Sequence, residues 1–272
     1  MSLLAEQSGT VLLRNNVTET GNPHGRPIIF AHGFGCSQAV WRHVTPAFLE
    51  DYRVIVFDAV GAGASDLSAY DRGKYDSLHG YADDVLDIVH ALDLQDVIYV
   101  GHSVASMVGV LASNAEPARF GALVLVSPSP RYINDESYYG GFEDEDIRAL
   151  LDELDSNYLG WSSTIAPLMM GNTGRPELGE ELTGNFCSTD PSIARHFAHV
   201  TFLSDNRADL ARVSVPTLVL QAQDDVIAPI PVGTFVHEHI AGSTLVLMEA
   251  TGHCANLSGP REVVGEITRL LG

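Results

Sequence analysis

Residues 97–112, with the sequence VIYVGHSVASMVGVLA, carry the strongest structural signal in the chain. The apolar run 97–100 predicts a buried strand, and the run 107–112 predicts a helix. Between them, the segment GHSVA, residues 101–105, places a serine on a tight turn. Such a turn exposes the serine hydroxyl and aims the first N–H groups of the helix at whatever the serine attacks. We therefore expect nucleophilic chemistry at Ser103.

Short apolar runs alternate with helical stretches on both sides of this segment. Most runs are apolar at every position, which is typical of a parallel sheet covered by helices on both faces. Helical spacing of apolar residues occurs at 81–92 and 260–271. The sequence thus predicts an α/β fold with a mostly parallel sheet. The predicted strands contain residues 11–13, 28–30, 54–57, 97–100, 123–126, 218–220 and 245–247.

The alternation stops between residues 131 and 204, where no strand-like run occurs. Residues 143–146 are all acidic, and Asp190 precedes a proline. Both patterns are typical of helix starts. We interpret residues 131–204 as a helical cap inserted into a core made of residues 1–130 and 205–272, and the acidic run as a solvated helix start and not a binding site.

Composition restricts the partners and the compartment. The 272 residues carry a formal net charge of −20 at pH 7. This charge disfavours nucleic acid and anionic membranes as partners, because their phosphates repel an acidic protein. Three cysteines without paired spacing, no basic leader before an apolar run, and no apolar run of bilayer length predict a reduced, cytoplasmic protein that begins near Met1.

Candidates for an acid and a base follow the sixth and seventh predicted strands. Asp224 and Asp225 come after the sixth strand, and His253 lies in a glycine-containing loop after the seventh. The carboxyl ends of parallel strands meet at one edge of a sheet, so these side chains can converge with Ser103. The order serine, acid, histidine is the one expected for a serine on this kind of turn. The residues alone leave Asp224 and Asp225 as alternatives.

A second glycine-containing loop, HGFG at residues 32–35, follows the predicted strand 28–30. Its glycines let the backbone approach the serine turn, so the N–H groups of Phe34 and Val104 can form an oxyanion hole. Alone, the loop reads as an ordinary turn. The interpretation depends on Ser103.

These segments, together with DAVGAGAS at residues 58–65, resemble the α/β-hydrolase superfamily over nearly the whole chain. A narrower resemblance lies in the cap. It is similar to the RsbQ-like hydrolases, a group that includes a bacterial energy-stress regulator and is similar to the plant strigolactone and karrikin receptors. The segments that carry it are PSPRYIND (128–135), YGGFE (139–143), NYLGW (157–161) and FCSTDP (186–191).

The resemblance implies an eight-stranded sheet, a cap of four helices and a mostly apolar pocket above the serine. It selects Asp225 as the acid of the triad and places Phe34 and Val104 at the oxyanion hole. Many members have glycine where this chain has Ala105, so the packing of the next helix must accommodate one more methyl group. The pocket-lining residues that it suggests are Tyr132, Phe142, Trp161 and Phe202.

The chain is therefore predicted to be a serine esterase or lactonase that acts on a small apolar substrate through an acyl-enzyme. This chemistry needs no metal or organic cofactor. The serine disfavours the dehalogenase and epoxide-hydrolase branches of the superfamily, which use aspartate there. Two alternatives stay open. One is a signalling protein that binds and slowly hydrolyses a ligand to control a protein partner; the other, a binding module with a decayed site, is disfavoured by the intact Ser103, Asp225 and His253.

Overall fold

One mixed sheet organises the chain. The computed structural model describes residues 3–272, with side chains described from residue 9 onward; Met1 and Ser2, at the predicted start, lie outside the described residues. The strand order is β1-β3-β2-β4-β5-β6-β7, with β1 antiparallel to β3 and every other neighbouring pair parallel. The strands are β1 (Thr18–Gly21), β2 (Arg26–Ala31), β3 (Tyr52–Phe57), β4 (Val97–His102), β5 (Phe120–Val126), β6 (Thr217–Ala222) and β7 (Thr244–Met248).

Helices flank this sheet, so the fold is α/β as predicted. Helix α3 packs against β4 and β5, and α9 packs against β6 and β7. Within the part of the chain that is described, no helix is both long and apolar enough to cross a membrane. The helices are α1 (Leu3–Arg14), α2 (Leu78–Ala91), α3 (Val104–Ala115), α4 (Asp144–Ser156), α5 (Tyr158–Met170), α6 (Pro176–Cys187), α7 (Pro191–Phe202), α8 (Arg207–Leu210), α9 (Ile230–His239), α10 (Ala255–Ser258) and α11 (Pro260–Leu271).

Helices α4 to α7 lie between β5 and β6, in the region where the alternation stops. Helix α4 packs against α5 and α7, and α5 packs against α6. The acidic run begins α4 through a reciprocal capping box between Glu143 and Asp146. Asp190 caps α7 by accepting the N–H groups of Ser192 and Ile193. Residues 131–143 hold isolated bridges and no helix.

One strand prediction at the amino-terminal end is wrong, and one strand there was not predicted. Residues 11–13 belong to α1, because this three-residue run continues a helix and leaves Leu13 79% exposed. The first strand is instead the fully exposed Thr18–Gly21, a polar edge strand without an apolar signal. The described residues therefore form seven strands and not the eight that the resemblance implies.

The turn between β4 and α3 is tightly packed. A Cβ at Gly101 would lie 2.5 Å from the Ala105 carbonyl oxygen and 2.8 Å from the Ser106 nitrogen. The Ser106 hydroxyl also donates to the Gly101 carbonyl at 2.8 Å. Ala105 is buried, and its carbonyl accepts the Tyr99 hydroxyl at 3.0 Å, so the methyl group is accommodated. Only glycine at 101 allows α3 to start this close to the strand.

We expect Gly101→Ala to destabilise the protein by about 2 kcal/mol or more, because the added methyl meets backbone that cannot rotate away. Gly265→Ala is the matched control. Gly265 is an exposed glycine inside α11 with nothing within 4 Å of an added Cβ. Alanine there should raise stability by roughly 0.5–1 kcal/mol. Urea unfolding of both variants measures the difference, and equal stabilities would contradict the packing described.

Candidate active site

Ser103 lies between β4 and α3 in a strained backbone conformation. Its φ is 58° and its ψ is −126°, in the half of conformational space that residues with a side chain rarely occupy. The turn is held by the Ser103 N–H, which donates to the Val126 carbonyl of β5 at 2.9 Å. Because hydrogen bonding holds the backbone in this strained conformation, the serine side chain keeps one orientation.

The structure brings Ser103, His253 and Asp225 into one hydrogen-bonded row. The Ser103 Oγ and His253 Nε2 are 2.7 Å apart. The His253 Nδ1 lies 2.8 Å from Asp225 Oδ2 and 3.0 Å from Oδ1. All three residues are buried. With Nδ1–H donated to the carboxylate, Nε2 carries the lone pair that can accept the serine proton.

The environment of Asp225 keeps its carboxylate charged. Burial raises the pKa of Asp225, but the charge and hydrogen bond of His253, together with two backbone N–H donors, outweigh it and lower the pKa below its usual value. Those donors belong to Ile227 and Ala228, each at 2.9 Å from Oδ1. Asp224, the alternative acid, is exposed. The structure thus places Asp225, and not Asp224, beside His253.

The backbone of His253 has two partners that the sequence analysis missed. Its carbonyl accepts from the Nε2–H of His102 at 2.9 Å, and its N–H donates to the Met169 carbonyl at 2.8 Å. Burial, followed by the charge of His253, lowers the pKa of His102 to about 3, so His102 is neutral. His102 could have been found from the sequence, because it lies inside the GHSVA segment beside the serine. The Met169 carbonyl could not, because every residue has a backbone carbonyl and the sequence does not distinguish this one.

The HGFG loop lies directly against the serine turn. A Cβ at Gly33 would lie 3.1 Å from the Ser103 Cβ and 2.8 Å from the His102 Nδ1. His32 holds the loop, because its Nδ1–H donates to the Gly33 carbonyl at 2.9 Å and its Nε2 accepts the Ala59 N–H at 3.0 Å. Burial lowers the pKa of His32, which favours this neutral form.

Two backbone N–H groups beside Ser103 are free to receive a ligand. No hydrogen bond between the described residues uses the N–H of Phe34 or that of Val104. Val104 is the first residue of α3, whose leading N–H groups have no partner within the helix. Both predicted donors are therefore available.

Aromatic side chains form a cluster around Phe34, and three of the four suggested pocket residues belong to it. Tyr132 joins the cluster through the Phe202 ring, with centroids 5.1 Å apart. Burial raises the pKa of the Tyr132 phenol, and an interaction with the Ser103 hydroxyl opposes this. The rings with centroids between 5.6 and 6.2 Å from that of Phe34 are Trp161, Phe186, Phe197 and Phe202.

The fourth suggested residue, Phe142, is joined to Tyr132 through the backbone, because its N–H donates to the Tyr132 carbonyl at 3.2 Å. It pairs with Ile133 in an isolated β-bridge, and none of the ring contacts in the described part of the chain joins it to the Phe34 cluster. The sequence analysis missed Phe186 and Phe197, which the structure places against Phe34. Both lie in amphipathic helices, where an aromatic residue fits the pocket and the core equally well. Among the side chains that the structure describes, from residue 9 onward, no group of three or more histidine, cysteine or acidic residues is arranged to hold a metal ion.

Comparison with known proteins gives a consistent result. A family model described as the alpha/beta hydrolase family matches residues 28–266. A karrikin insensitive 2 receptor from Petunia hybrida is 39% identical over 96% of this chain and 97% of its own. A strigolactone esterase from Arabidopsis thaliana is 36% identical over 95% of this chain and 96% of its own.

A solved structure of a hydrolase from Oleispira antarctica superposes with a TM-score of 0.94 at 40% identity, covering 97% of each chain. The sheet, the serine turn after β4 and these full-length similarities agree. The chain belongs to the alpha/beta hydrolase family.

Proposed function

We propose that the protein hydrolyses small apolar esters or lactones, with Ser103 as nucleophile, His253 as general base and Asp225 as the acid that orients it. The observation that carries the proposal is the 2.7 Å contact between Ser103 Oγ and His253 Nε2, backed by the Asp225 carboxylate on Nδ1. The two unused N–H groups beside the serine complete the set of parts that acyl transfer needs.

The reaction runs in two halves. Ser103 Oγ attacks the carbonyl carbon while His253 Nε2 takes its proton, and the N–H groups of Phe34 and Val104 receive the charge on the oxygen, at about 3 kcal/mol for each donor in comparable enzymes. The imidazolium then protonates the leaving alcohol, which departs and leaves an acyl-serine. Water, deprotonated by His253, releases the acid and restores Ser103. A lactone gives an acyl-serine that keeps its alcohol attached.

The substrate class follows from what surrounds the serine. The Phe34 cluster offers ring faces and edges and few polar groups, so a site lined by it favours an apolar molecule recognised by contact. The buried Tyr132 hydroxyl interacts with the Ser103 hydroxyl and gives the site a polar group. We infer that residues 131–204, which carry α4 to α7, form a lid over this site. The names of the relatives, an esterase of strigolactone and a karrikin receptor, support a small ester or lactone.

A second candidate is a ligand receptor that uses the same residues. The full-length relative named as a receptor favours it. In this case slow hydrolysis or binding alters the lid, and the lid surface contacts a regulatory protein in the cytoplasm. The two candidates share a site and differ in turnover.

We expect Ser103→Ala to abolish ester hydrolysis while the protein stays folded, because only the attacking oxygen is removed. Hydrolysis of p-nitrophenyl acetate by the purified variant measures the loss, with circular dichroism as the control for folding. Activity equal to that of the wild-type protein would place the nucleophile elsewhere.

Asp225→Asn should lower kcat by roughly 10³- to 10⁴-fold, because the amide cannot stabilise the imidazolium and favours the wrong tautomer of His253. Asp224→Asn is the matched control, one residue away and exposed. It should keep wild-type activity. Similar losses in both variants would contradict the assignment of the acid.

Turnover separates the two candidates. As an enzyme, the protein should complete many cycles per minute on p-nitrophenyl acetate and on a butenolide lactone, because hydrolysis of the acyl-serine restores Ser103 for another cycle. Stopped-flow and steady-state rates give the number of cycles for each serine. A single slow cycle accompanied by a shift in melting temperature would favour the receptor and overturn the esterase proposal.

A further inference from the structure

Helix α5 ends directly against the loop that carries His253. The last carbonyls of a helix have no partner within it. Here the Met169 carbonyl accepts the His253 N–H at 2.8 Å. The approach is so close that a Cβ on Gly252 would lie 1.9 Å from the Met170 carbonyl oxygen. We call residues 169–172 and 251–253 the helix–loop junction.

Asn172 bridges this junction with every polar atom of its side chain. Its Nδ2 donates to the Met170 carbonyl at 2.8 Å and to the Thr251 carbonyl at 2.7 Å. Its Oδ1 accepts from the Thr251 hydroxyl at 3.2 Å and from the Arg175 guanidinium at 2.6 Å. A carboxamide has two N–H donors and two acceptor sites, so all four are used. Exchanging the amide oxygen and nitrogen would break the set.

The backbone at this position also suits asparagine. Asn172 has a φ of 55°, in the left-handed region. Among residues with a side chain, asparagine is one of the few that enters this region readily. The side chain can therefore reach back to the end of α5 and across to the loop from one residue.

We propose that Asn172 is a positioning residue that holds the 251–253 backbone against the end of α5 and so keeps His253 Nε2 within reach of Ser103 Oγ. The inference rests on the proposed function, since it concerns the placement of the proposed base. Asn172 does not touch the reacting atoms. It supports the hydrogen bond between Met169 and His253 by holding the nearby Met170 and Thr251 carbonyls together.

The position of His253 depends on few other contacts. Its carbonyl is held by His102 and its side chain by Asp225, both from the core. The N–H bond to Met169 is the contact that comes from α5. A movement of α5 relative to the sheet is therefore transmitted to the base, and the Asn172 bridge sets how tightly the two are coupled.

Asn172→Gly tests this role. Glycine adopts a φ of +55° without strain, so the variant removes the bridge and leaves the backbone conformation accessible. Asn157→Ala is the matched control at the opposite end of α5. The Asn157 side chain accepts the Gly160 N–H at 3.1 Å, so its loss weakens the same helix without touching the junction. Melting temperatures of both variants report any loss of stability.

The readouts are the second-order rate at which a serine-directed phosphonate labels Ser103, and kcat and KM for p-nitrophenyl acetate. In Asn172→Gly we expect the labelling rate and kcat to fall roughly 10- to 100-fold, the range for a base displaced by about 1 Å. We expect KM to change by less than about twofold, because the aromatic cluster is untouched. Asn157→Ala should keep wild-type rates even where its melting temperature falls.

Wild-type rates in folded Asn172→Gly would overturn the positioning role. An equal loss of rate in both variants would also overturn it, because the loss would then come from the lower stability of α5. A wild-type protein that the phosphonate does not label would overturn the proposed function itself. The two failures are therefore distinguishable.

Discussion

The hydrogen bond between the Ser103 hydroxyl and the His253 imidazole is the contact around which the chain is arranged. The two residues are 150 positions apart in sequence and 2.7 Å apart in space. Parallel strands bring them together, because the ends of β4 and β7 lie at the same edge of the sheet. The close approach of α3 to β4 at Gly101 then fixes the position of Ser103. Backbone contacts from the core and from α5 fix the position of His253.

Burial gives this contact its electrostatic character. His32 and His102 are held neutral, since burial lowers the pKa of both, while the pKa of Asp225 is lowered and its carboxylate stays charged. The negative charge beside His253 is therefore that of Asp225. In the proposed reaction His253 takes the serine proton, and the new positive charge then forms at 2.8 Å from that carboxylate in a buried site. In the same proposal the opposite charge, on the substrate oxygen, forms beside the N–H groups of Phe34 and Val104.

Much of the core was predictable because its signals are local. The central strands are buried on both faces and so read as apolar runs, and the serine turn combines a strand, a glycine and a helix in sixteen residues. The edge strand Thr18–Gly21 was not predictable, because an exposed edge strand buries no apolar residue. Residues 11–13 were misassigned because a short apolar run fits a strand or one face of a helix equally well.

The candidate site divides in the same way. Its ionisable residues follow strands and have a recognisable order, whereas the parts supplied by α5 have no comparable signal. Met169 contributes a backbone carbonyl, which every residue has. Asn172 lies in a glycine-containing segment, a pattern that indicates the end of a helix and not a role in the site. Phe186 and Phe197 look like core residues until the structure places them against Phe34.

A crystal structure of the protein after reaction with a serine-directed phosphonate tests the central claim most directly. We expect phosphorus bonded to Ser103 Oγ and a phosphonyl oxygen at about 3 Å from the N–H groups of both Phe34 and Val104. Phosphorus on another residue, or a phosphonyl oxygen turned away from both N–H groups, would contradict it.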